Sequence, residues 1–304
     1  MPLYKLIGKT LAGVKPDLFT KEKDLQVLVE ANLQTLFGLN FVRSEYQIGN
    51  LRIDTLAYDK ESSAFVVIEY KKGQNLSVVD QGMSYLSLLL NNKADFVLEY
   101  NERCNQTLKK DKIDWSQLRV LFVSNAFTKY QIEALGFKDL PIELWQVSKF
   151  DNNLLMVDRI RATSASASIL SIGKKSSTFQ KITKEVKPYT EENHIQKGSP
   201  KIQALYGQFR ELVLTLSPDI SIKPTKLYVG FKAKSNFTDV VVLKNAMKVF
   251  INLAKGKLDD PLHLARDVSK IGHWGNGDYE ILVRKEDELQ YIMTLVTQSF
   301  KENS

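Results

Sequence analysis

The sequence predicts an α/β domain with a mixed central sheet, followed by a smaller α+β domain. Three features predict this division. Segments with helical and strand-like patterns alternate over residues 1–160, an order typical of α/β proteins. Within them, the run Phe65-Val66-Val67-Ile68 is apolar throughout, as expected of a central strand covered on both faces. A new set of elements then begins with an amphipathic helix after residue 200.

The elements of the first domain follow from periodicity and turn signals. An apolar stripe predicts a helix over 20–37 that ends at Gly38, and Ser77 can cap a helix over 77–91. A short helix is expected near 129–135. Residues 41–50 are expected to be extended, and two strands flank the polar turn at 59–63 to form a hairpin. The expected strands are 51–58, 64–71, 95–100, 120–124, 141–147 and 154–157.

The second domain is expected to pack two helices on a sheet. Apolar side chains share one helical face over 202–216 and another over 289–300. Strands are expected at 226–233, 239–243 and 248–253, and a glycine-rich turn precedes one more strand. We therefore divide the chain into an α/β domain, 1–160, a basic serine-rich linker, 161–200, and an α+β domain, 201–304, of unknown role, for which binding or targeting is one option.

Composition narrows the classes of function. The chain has 304 residues, long enough for two domains, and 43% of them are hydrophobic. Cys104 is the single cysteine, which excludes an intramolecular disulfide and the usual structural zinc sites. No run approaches 18 apolar residues, so we expect no membrane partner. We also expect no signal peptide and a cytoplasmic location.

The charge is uneven along the chain. The net charge is +7, and residues 1–160 hold 20 basic and 20 acidic side chains, whereas residues 161–200 hold 7 and 3. A basic excess is typical of proteins with an anionic partner, although a solvated surface accounts for it equally well. Residues 161–200 also contain seven serines, which is typical of a mobile linker.

Polar side chains stand out at the end of the apolar strand 64–71. Glu69 and Lys71 point to the same face because side chains alternate along a strand. Asp54 interrupts the neighbouring strand, where an acidic residue is disfavoured, and we expect it beside Glu69 across the hairpin. The alternative is an exposed face of an edge strand. Gln81 and Tyr85 share one face of the next helix, where they either serve the site or only hydrogen-bond to the hairpin.

This set of residues suits metal-dependent hydrolysis. Carboxylate oxygens such as those of Asp54 and Glu69 are the ligands that Mg²⁺ or Mn²⁺ prefers. A divalent ion there could neutralise a phosphodiester and lower the pKa of a bound water. Lys71 could orient or deprotonate that water, or stabilise the charge that develops.

Three segments resemble the PD-(D/E)XK nucleases, the superfamily with the restriction-endonuclease-like fold. R-I-D-T-L-A-Y-D supplies the motif Asp54, V-V-I-E-Y-K-K-G supplies Glu69 and Lys71, and Q-G-M-S-Y supplies the Gln81 and Tyr85 of the RecB-like branch. The sequence around these motifs, over about residues 20–125, is most similar to the nuclease domain of the NucS/EndoMS endonucleases. The C-terminal part resembles an uncharacterised domain appended to restriction-like proteins.

The resemblance implies a restriction-endonuclease-like α/β fold and a magnesium- or manganese-dependent nuclease acting on DNA. In this family a glutamate on an upstream helix can assist the metal, and Glu30 is the candidate here. Its alternative is an ordinary charge at the edge of the helix stripe. The metal ligands implied are therefore Asp54, Glu69 and Glu30, and the catalytic set is Asp54, Glu69, Lys71, Gln81 and Tyr85.

Three further residues are candidate nucleic-acid contacts. Lys72 follows the Glu-x-Lys motif and could contact a phosphate. Tyr228 and Lys232 lie on one face of a predicted strand in the second domain, where they could stack a base and hold a phosphate. The alternatives are a solvated lysine and a half-exposed strand.

The leading hypothesis is an endonuclease or exonuclease that hydrolyses phosphodiester bonds in DNA, with RNA as a second possible substrate. The alternatives are a nucleic-acid-binding protein that keeps the fold without turnover, and an adaptor that works with a partner in a defence system. A homodimer is compatible with each of these.

Overall fold

The computed structural model describes residues 3–49, 51–71, 77–134, 140–160, 182, 184–186, 189–273 and 275–304. The chain divides into two compact units, Met1–Pro188 and Tyr189–Ser304. Most of the predicted linker, 161–181, lies outside the described residues. Residues 189–200, which we assigned to the linker, belong to the second unit and include one short helix and the start of another. Among the described helices, none is long and apolar enough to cross a membrane.

The first unit is built on a mixed sheet with helices on both faces. Its helices are α1 (Glu22–Glu30), α2 (Leu33–Phe37), α3 (Val78–Asn91), α4 (Lys93–Cys104) and α5 (Lys129–Ala134). Its strands are β1 (Leu3–Ile7), β2 (Thr10–Val14), β3 (Pro16–Asp17), β4 (Asn40–Ile48), β5 (Leu51–Asp59), β6 (Ala64–Lys71), β7 (Arg119–Ser124), β8 (Ile142–Phe150) and β9 (Leu154–Ile160).

The central sheet has the order β3-β8-β7-β6-β5-β4, with β9 also paired to β8. β4, β5 and β6 run antiparallel in turn, and β6, β7 and β8 are parallel. This confirms the predicted mixed sheet and the predicted hairpin of β5 and β6. Every residue of β6 except Lys71 is buried, as the apolar sequence of this strand predicts.

Two hydrophobic layers cover this sheet. Phe65 and Val67 of β6 face a core formed with α3 and α4, whereas Val66, Ile68 and Tyr70 face α1 and α2. The alternation of side chains along β6 therefore fixes which polar residues can meet: Glu69 and Lys71 share the α3 face.

Two element predictions for this unit are wrong, one of a strand and one of a single helix. Residues 95–100 were expected to form a strand but lie in α4, where Phe96 and Tyr100 are buried one helical turn apart. The predicted helix 20–37 is two helices, α1 and α2. The break falls at Ala31-Asn32, and α2 ends at Gly38 in the left-handed conformation, with φ of 67°.

The second unit is an antiparallel sheet with helices packed on one face. Its elements are α6 (Glu191–Ile195), α7 (Pro200–Leu214), β10 (Ser221–Pro224), β11 (Val229–Lys232), β12 (Asn236–Leu243), β13 (Ala246–Ile251), β14 (Arg266–Asp267), β15 (Tyr279–Val283) and α8 (Leu289–Asn303). The sheet order is β10-β11-β12-β13-β15-β14. Apolar side chains of α7 and α8 form one core with the sheet, which confirms the α+β expectation.

Candidate active site

The pairing of β5 with β6 brings the two predicted acidic residues together. Thr55 pairs with Ile68 in the antiparallel register, so the same register extended by one residue places Asp54 opposite Glu69. Directly opposite residues of an antiparallel pair point to the same face. The hairpin therefore holds the Asp54 and Glu69 carboxylates side by side at the carboxyl end of β6.

Three hydrogen-bond donors converge on the Glu69 carboxylate. It is 5% exposed, and its Oε1 accepts from Lys71 Nζ and from Gln81 Nε2, each at 2.7 Å. Its Oε2 accepts from the Tyr85 hydroxyl, also at 2.7 Å. A buried carboxylate needs such donors to offset its lost hydration. All three donors come from residues that the sequence analysis placed in the catalytic set.

The helix α3 supplies two of these donors because its start is fixed. Ser77 caps the helix by accepting from the backbone N–H of Asp80 at 3.2 Å. Gln81 and Tyr85 then lie one turn apart on the face toward Glu69. The amide nitrogen of Gln81 must face this carboxylate, since a carboxylate oxygen only accepts. Gln81 Oε1 is left buried without a hydrogen-bond partner among the described residues.

Asp54 has a different environment. Its Oδ2 accepts from the backbone N–H of Tyr70 at 3.1 Å. Burial, and then repulsion from the Glu69 carboxylate, raise the pKa of Asp54 to about 6, against the opposing effects of the Tyr70 N–H and of Lys71. A carboxyl group that titrates near neutral pH beside a second carboxylate is typical of functional sites.

Tyr85 is held in its neutral form. Burial, followed by repulsion from Glu69, raises the pKa of the Tyr85 hydroxyl above its ordinary value. The hydroxyl also lies 3.1 Å from the backbone carbonyl oxygen of Arg52 on β5. The single hydroxyl hydrogen of Tyr85 is donated to Glu69, the shorter contact, and this bond ties helix α3 to β6.

The structure does not bring Glu30 to this group. Glu30 Oε1 accepts from the Thr55 hydroxyl at 2.5 Å and from Gln26 Nε2 at 2.9 Å. Thr55 also lies 3.2 Å from the hydroxyl of Tyr70, which packs on the α1 face of the sheet. Glu69, by contrast, faces α3. The predicted three-carboxylate set is therefore corrected to two, because the sheet stands between Glu30 and Glu69.

Sequence reasoning missed the residues behind the site. Gln26 is 4% exposed, Thr55 and Tyr70 are fully buried, and the Gln26 amide also donates to the backbone carbonyl of Asp54 at 3.0 Å. The available signal was a glutamine one position along from the apolar stripe of α1 and one turn before Glu30. These polar groups link α1 to the backbone that carries Asp54.

The donor set suits one kind of ion. Among the described residues, no group of three His, Cys, Asp or Glu side chains is placed to hold a metal. Two adjacent carboxylates remain, Asp54 and Glu69. Mg²⁺ is commonly held by only one or two carboxylates and completes its shell with water and substrate phosphate, so this pair fits Mg²⁺ or Mn²⁺ better than it fits zinc.

The three predicted nucleic-acid contacts, Lys72, Tyr228 and Lys232, have different outcomes in the structure. Lys72 lies outside the described residues. Tyr228 is 5% exposed, packs with Val241, Phe250 and Val268, and accepts a hydrogen bond from Asn276 at 2.7 Å. Its ring is therefore covered, and the expectation that it stacks on a base is corrected. Lys232 is half-buried at the end of β11 and stays a candidate.

Comparison with known proteins places the chain in a family. A model described as a domain of unknown function, DUF5655, matches residues 191–303, as the resemblance of the C-terminal part implied. Among solved structures, a repair endonuclease from Pyrococcus abyssi is 18% identical with a TM-score of 0.25 over 43% of this chain and 48% of its own. EndoMS in its apo form is 20% identical with a TM-score of 0.26 over 39% and 43%.

The chain thus spans about half the length of these solved structures. A protein of Haemophilus influenzae described as uncharacterized is 48% identical over 292 residues, which cover 96% of this chain and 97% of that protein. The chain therefore belongs to the family of this Haemophilus influenzae protein, with a DUF5655 domain as its C-terminal part.

Proposed function

We propose that the first unit is a metal-dependent nuclease that hydrolyses phosphodiester bonds in DNA. The observation that carries the proposal is the pairing of Asp54 with Glu69 at the end of β6, with Lys71 Nζ 2.7 Å from Glu69. Two carboxylates and an ammonium group at one point match what phosphodiester hydrolysis needs: a cation site and a positive charge for the transition state.

Each residue has a defined role in this proposal. Asp54 and Glu69 would hold Mg²⁺ or Mn²⁺, which supplies charge neutralisation and an acidified water when bound. Lys71 stabilises the negative charge that develops on the phosphate oxygens, and it orients the attacking water. Gln81 and Tyr85 hold the Glu69 carboxylate in one orientation, because a donor from each fixes a different oxygen.

Incubation with DNA tests the proposal directly. Linear, nicked, branched and single-stranded DNA are each mixed with the protein in Mg²⁺ or Mn²⁺, with EDTA as the metal-free control. We expect cleavage by the wild type that disappears in EDTA and in Asp54→Asn and Glu69→Gln. Equal cleavage by the wild type and both variants would contradict the proposal.

A second candidate function is nucleic-acid binding without turnover. The observation that favours it is the complete hydrogen bonding of Glu69, whose two oxygens already have three donors within the protein. Tight, salt-dependent DNA binding with no product under any divalent metal would support this candidate instead.

A further inference from the structure

The first unit carries a two-stranded ribbon that stands apart from its sheet. β1 and β2 pair with each other from Leu3↔Val14 to Ile7↔Thr10, and they form a sheet of their own. The two-residue loop begins with Gly8 at φ of 63°, the backbone that tight hairpins require at this point. An isolated hairpin is only marginally stable in water, so packing against a partner would stabilise a ribbon of this kind.

The ribbon exposes apolar side chains on both faces. All five residues of β1 are exposed, and the fractions are 55% for Tyr4, 69% for Leu6 and 55% for Ile7. Leu11 on β2, which pairs with Leu6, is 65% exposed. Neighbouring exposed apolar side chains of this size are typical of an interaction site.

The charge of the ribbon identifies the kind of partner. Residues 1–16 contain Lys5, Lys9 and Lys15 and no acidic side chain, whereas residues 17–160 hold 17 basic and 20 acidic side chains. Residues 1–16 therefore carry a net charge of +3, whereas residues 17–160 carry a net charge of −3 (17 basic minus 20 acidic). A second copy of the ribbon is a poorer complement, because two facing ribbons would gather their lysines without a counter-charge.

The sheet topology places the ribbon at the same edge as the candidate site. Phe150 of β8 pairs with Leu154 on one side and with Pro16 on the other, so β3 lies on the β7 side of β8, beyond the end of β7. The parallel registers align Lys71 with Ser124 and Gln146. Pro16 therefore lies one strand over and four residues further out, roughly 15 Å from Lys71 by strand spacing and rise.

We propose that the β1–β2 ribbon is a duplex-DNA contact that places DNA over the carboxyl edge of β6. It rests on the proposed function in that it supplies the DNA surface for the same site. A two-stranded ribbon fits the major groove, where Lys5 and Lys9 reach phosphates and the apolar side chains contact the edges of bases. Pro16, two residues after the ribbon ends, lies roughly 15 Å from Lys71, which is less than one turn of duplex, about 34 Å, so one DNA molecule can span the base of the ribbon and the site.

Fluorescence anisotropy of a labelled DNA duplex tests this contact. The background is Asp54→Asn in Mg²⁺ buffer, so that bound DNA stays intact. Lys5→Gln/Lys9→Gln is compared with Lys109→Gln/Lys110→Gln, a matched pair of exposed lysines elsewhere in the unit. We expect the ribbon variant to bind roughly 10–30-fold more weakly at physiological salt, with the salt slope reduced by about 1.8, and the control variant to bind as the parent does.

A second variant separates shape from charge. Leu6→Ser/Leu11→Ser keeps both lysines, so we expect weaker binding with an unchanged salt slope. A melting temperature equal to that of the parent shows that the first unit remains folded in each variant. Light scattering reports the oligomeric state of each variant.

Three outcomes would overturn the ribbon contact: no duplex binding by the parent, the same loss in the ribbon and control variants, or a change of oligomeric state in the ribbon variants with unchanged duplex affinity. The last outcome would assign the ribbon to a second copy of the chain. This assay does not read cleavage, so the absence of product in Mg²⁺ or Mn²⁺ is a separate result that concerns only the proposed hydrolysis.

Discussion

Asp54 lies opposite Glu69 across the β5–β6 hairpin, and the closeness of the two carboxylates sets the protonation of the site. Burial and the neighbouring Glu69 charge raise the pKa of Asp54 from its ordinary value of 3.8 to about 6. The metal-free protein therefore holds a repulsive pair above that pH.

The first prediction concerns stability and pH. Asp54 binds its proton more tightly in the folded protein than in the unfolded chain, so its stabilising contribution is complete below about pH 4 and is lost as pH rises through about 6. Asp54→Asn is neutral at every pH. We expect it to be more stable than the wild type at pH 8 by on the order of 2 kcal/mol, and equally stable near pH 4. Urea unfolding without divalent metal measures this.

Asp111→Asn is the control for this prediction, because Asp111 is an exposed carboxylate in the same unit. The free energy of unfolding of this variant should equal that of the wild type near pH 4 and at pH 8. A wild type that gains stability relative to Asp54→Asn as pH rises would contradict the assigned direction.

The second prediction concerns divalent ions. An ion held between Asp54 and Glu69 removes their repulsion and binds only the folded state, so Mn²⁺ should raise the melting temperature of the wild type. At a concentration 100 times the dissociation constant the gain is about 2.7 kcal/mol. Asp54→Asn and Glu69→Gln should show little of this increase. Calorimetric titration with Mn²⁺ measures the weaker binding of both variants directly. Binding by both variants as tight as that of the wild type would show that the ion does not bind between Asp54 and Glu69.

The third prediction concerns Tyr85. Tyr85→Phe removes the donor to Glu69 Oε2 and leaves a buried acceptor unpaired, which should cost about 1–3 kcal/mol of unfolding free energy and also slow cleavage. Tyr206→Phe is a matched control, because its hydroxyl donates to Glu191 at 2.7 Å in the second unit. The control should lose stability and keep the cleavage rate. Slow cleavage in both would show that stability alone governs the rate.

The fourth prediction distinguishes two roles for Glu30. In the structure its Oε1 only accepts hydrogen bonds from Thr55 and Gln26. Glu30→Gln keeps an acceptor at this point and should bind Mn²⁺ and cleave as the wild type does. Glu30→Ala removes the carboxylate oxygen that accepts from both Thr55 and Gln26 behind Asp54, and should weaken metal binding or cleavage by roughly 10–100-fold. If Glu30→Gln fails as badly as Glu30→Ala, then Glu30 is a metal ligand as the family resemblance implied.

The sequence predicts which side chains meet around Glu69, and the reason is physical. Asp54, Glu69, Lys71, Gln81 and Tyr85 depend on strand alternation and on the i, i+4 spacing of one helix, and both are local rules. Their convergence in the structure follows from the register of a single hairpin. Whether they act as a catalytic set stays a prediction.

The misplaced residues depend on contacts that are distant in sequence. The side of the sheet that α1 covers decides the fate of Glu30, and no local pattern contains that choice. Tyr228 looked like a half-exposed strand residue, but the segment that carries Val268 covers it. The apolar run around Phe96 was short enough to fit a strand, and its i, i+4 partner Tyr100 is what favours the helix.

The most direct measurement is the rate of DNA cleavage in Mg²⁺ with enzyme in excess over a labelled DNA that the wild type cuts. The variants are Asp54→Asn, Glu69→Gln and Lys71→Met, and Lys112→Met serves as an exposed lysine control. We predict that the first three lower the rate by at least about 100-fold, as removal of one transition-state contact does, and that the control keeps it. A wild-type rate in Asp54→Asn or Glu69→Gln would contradict the assignment of hydrolysis to this pair of carboxylates.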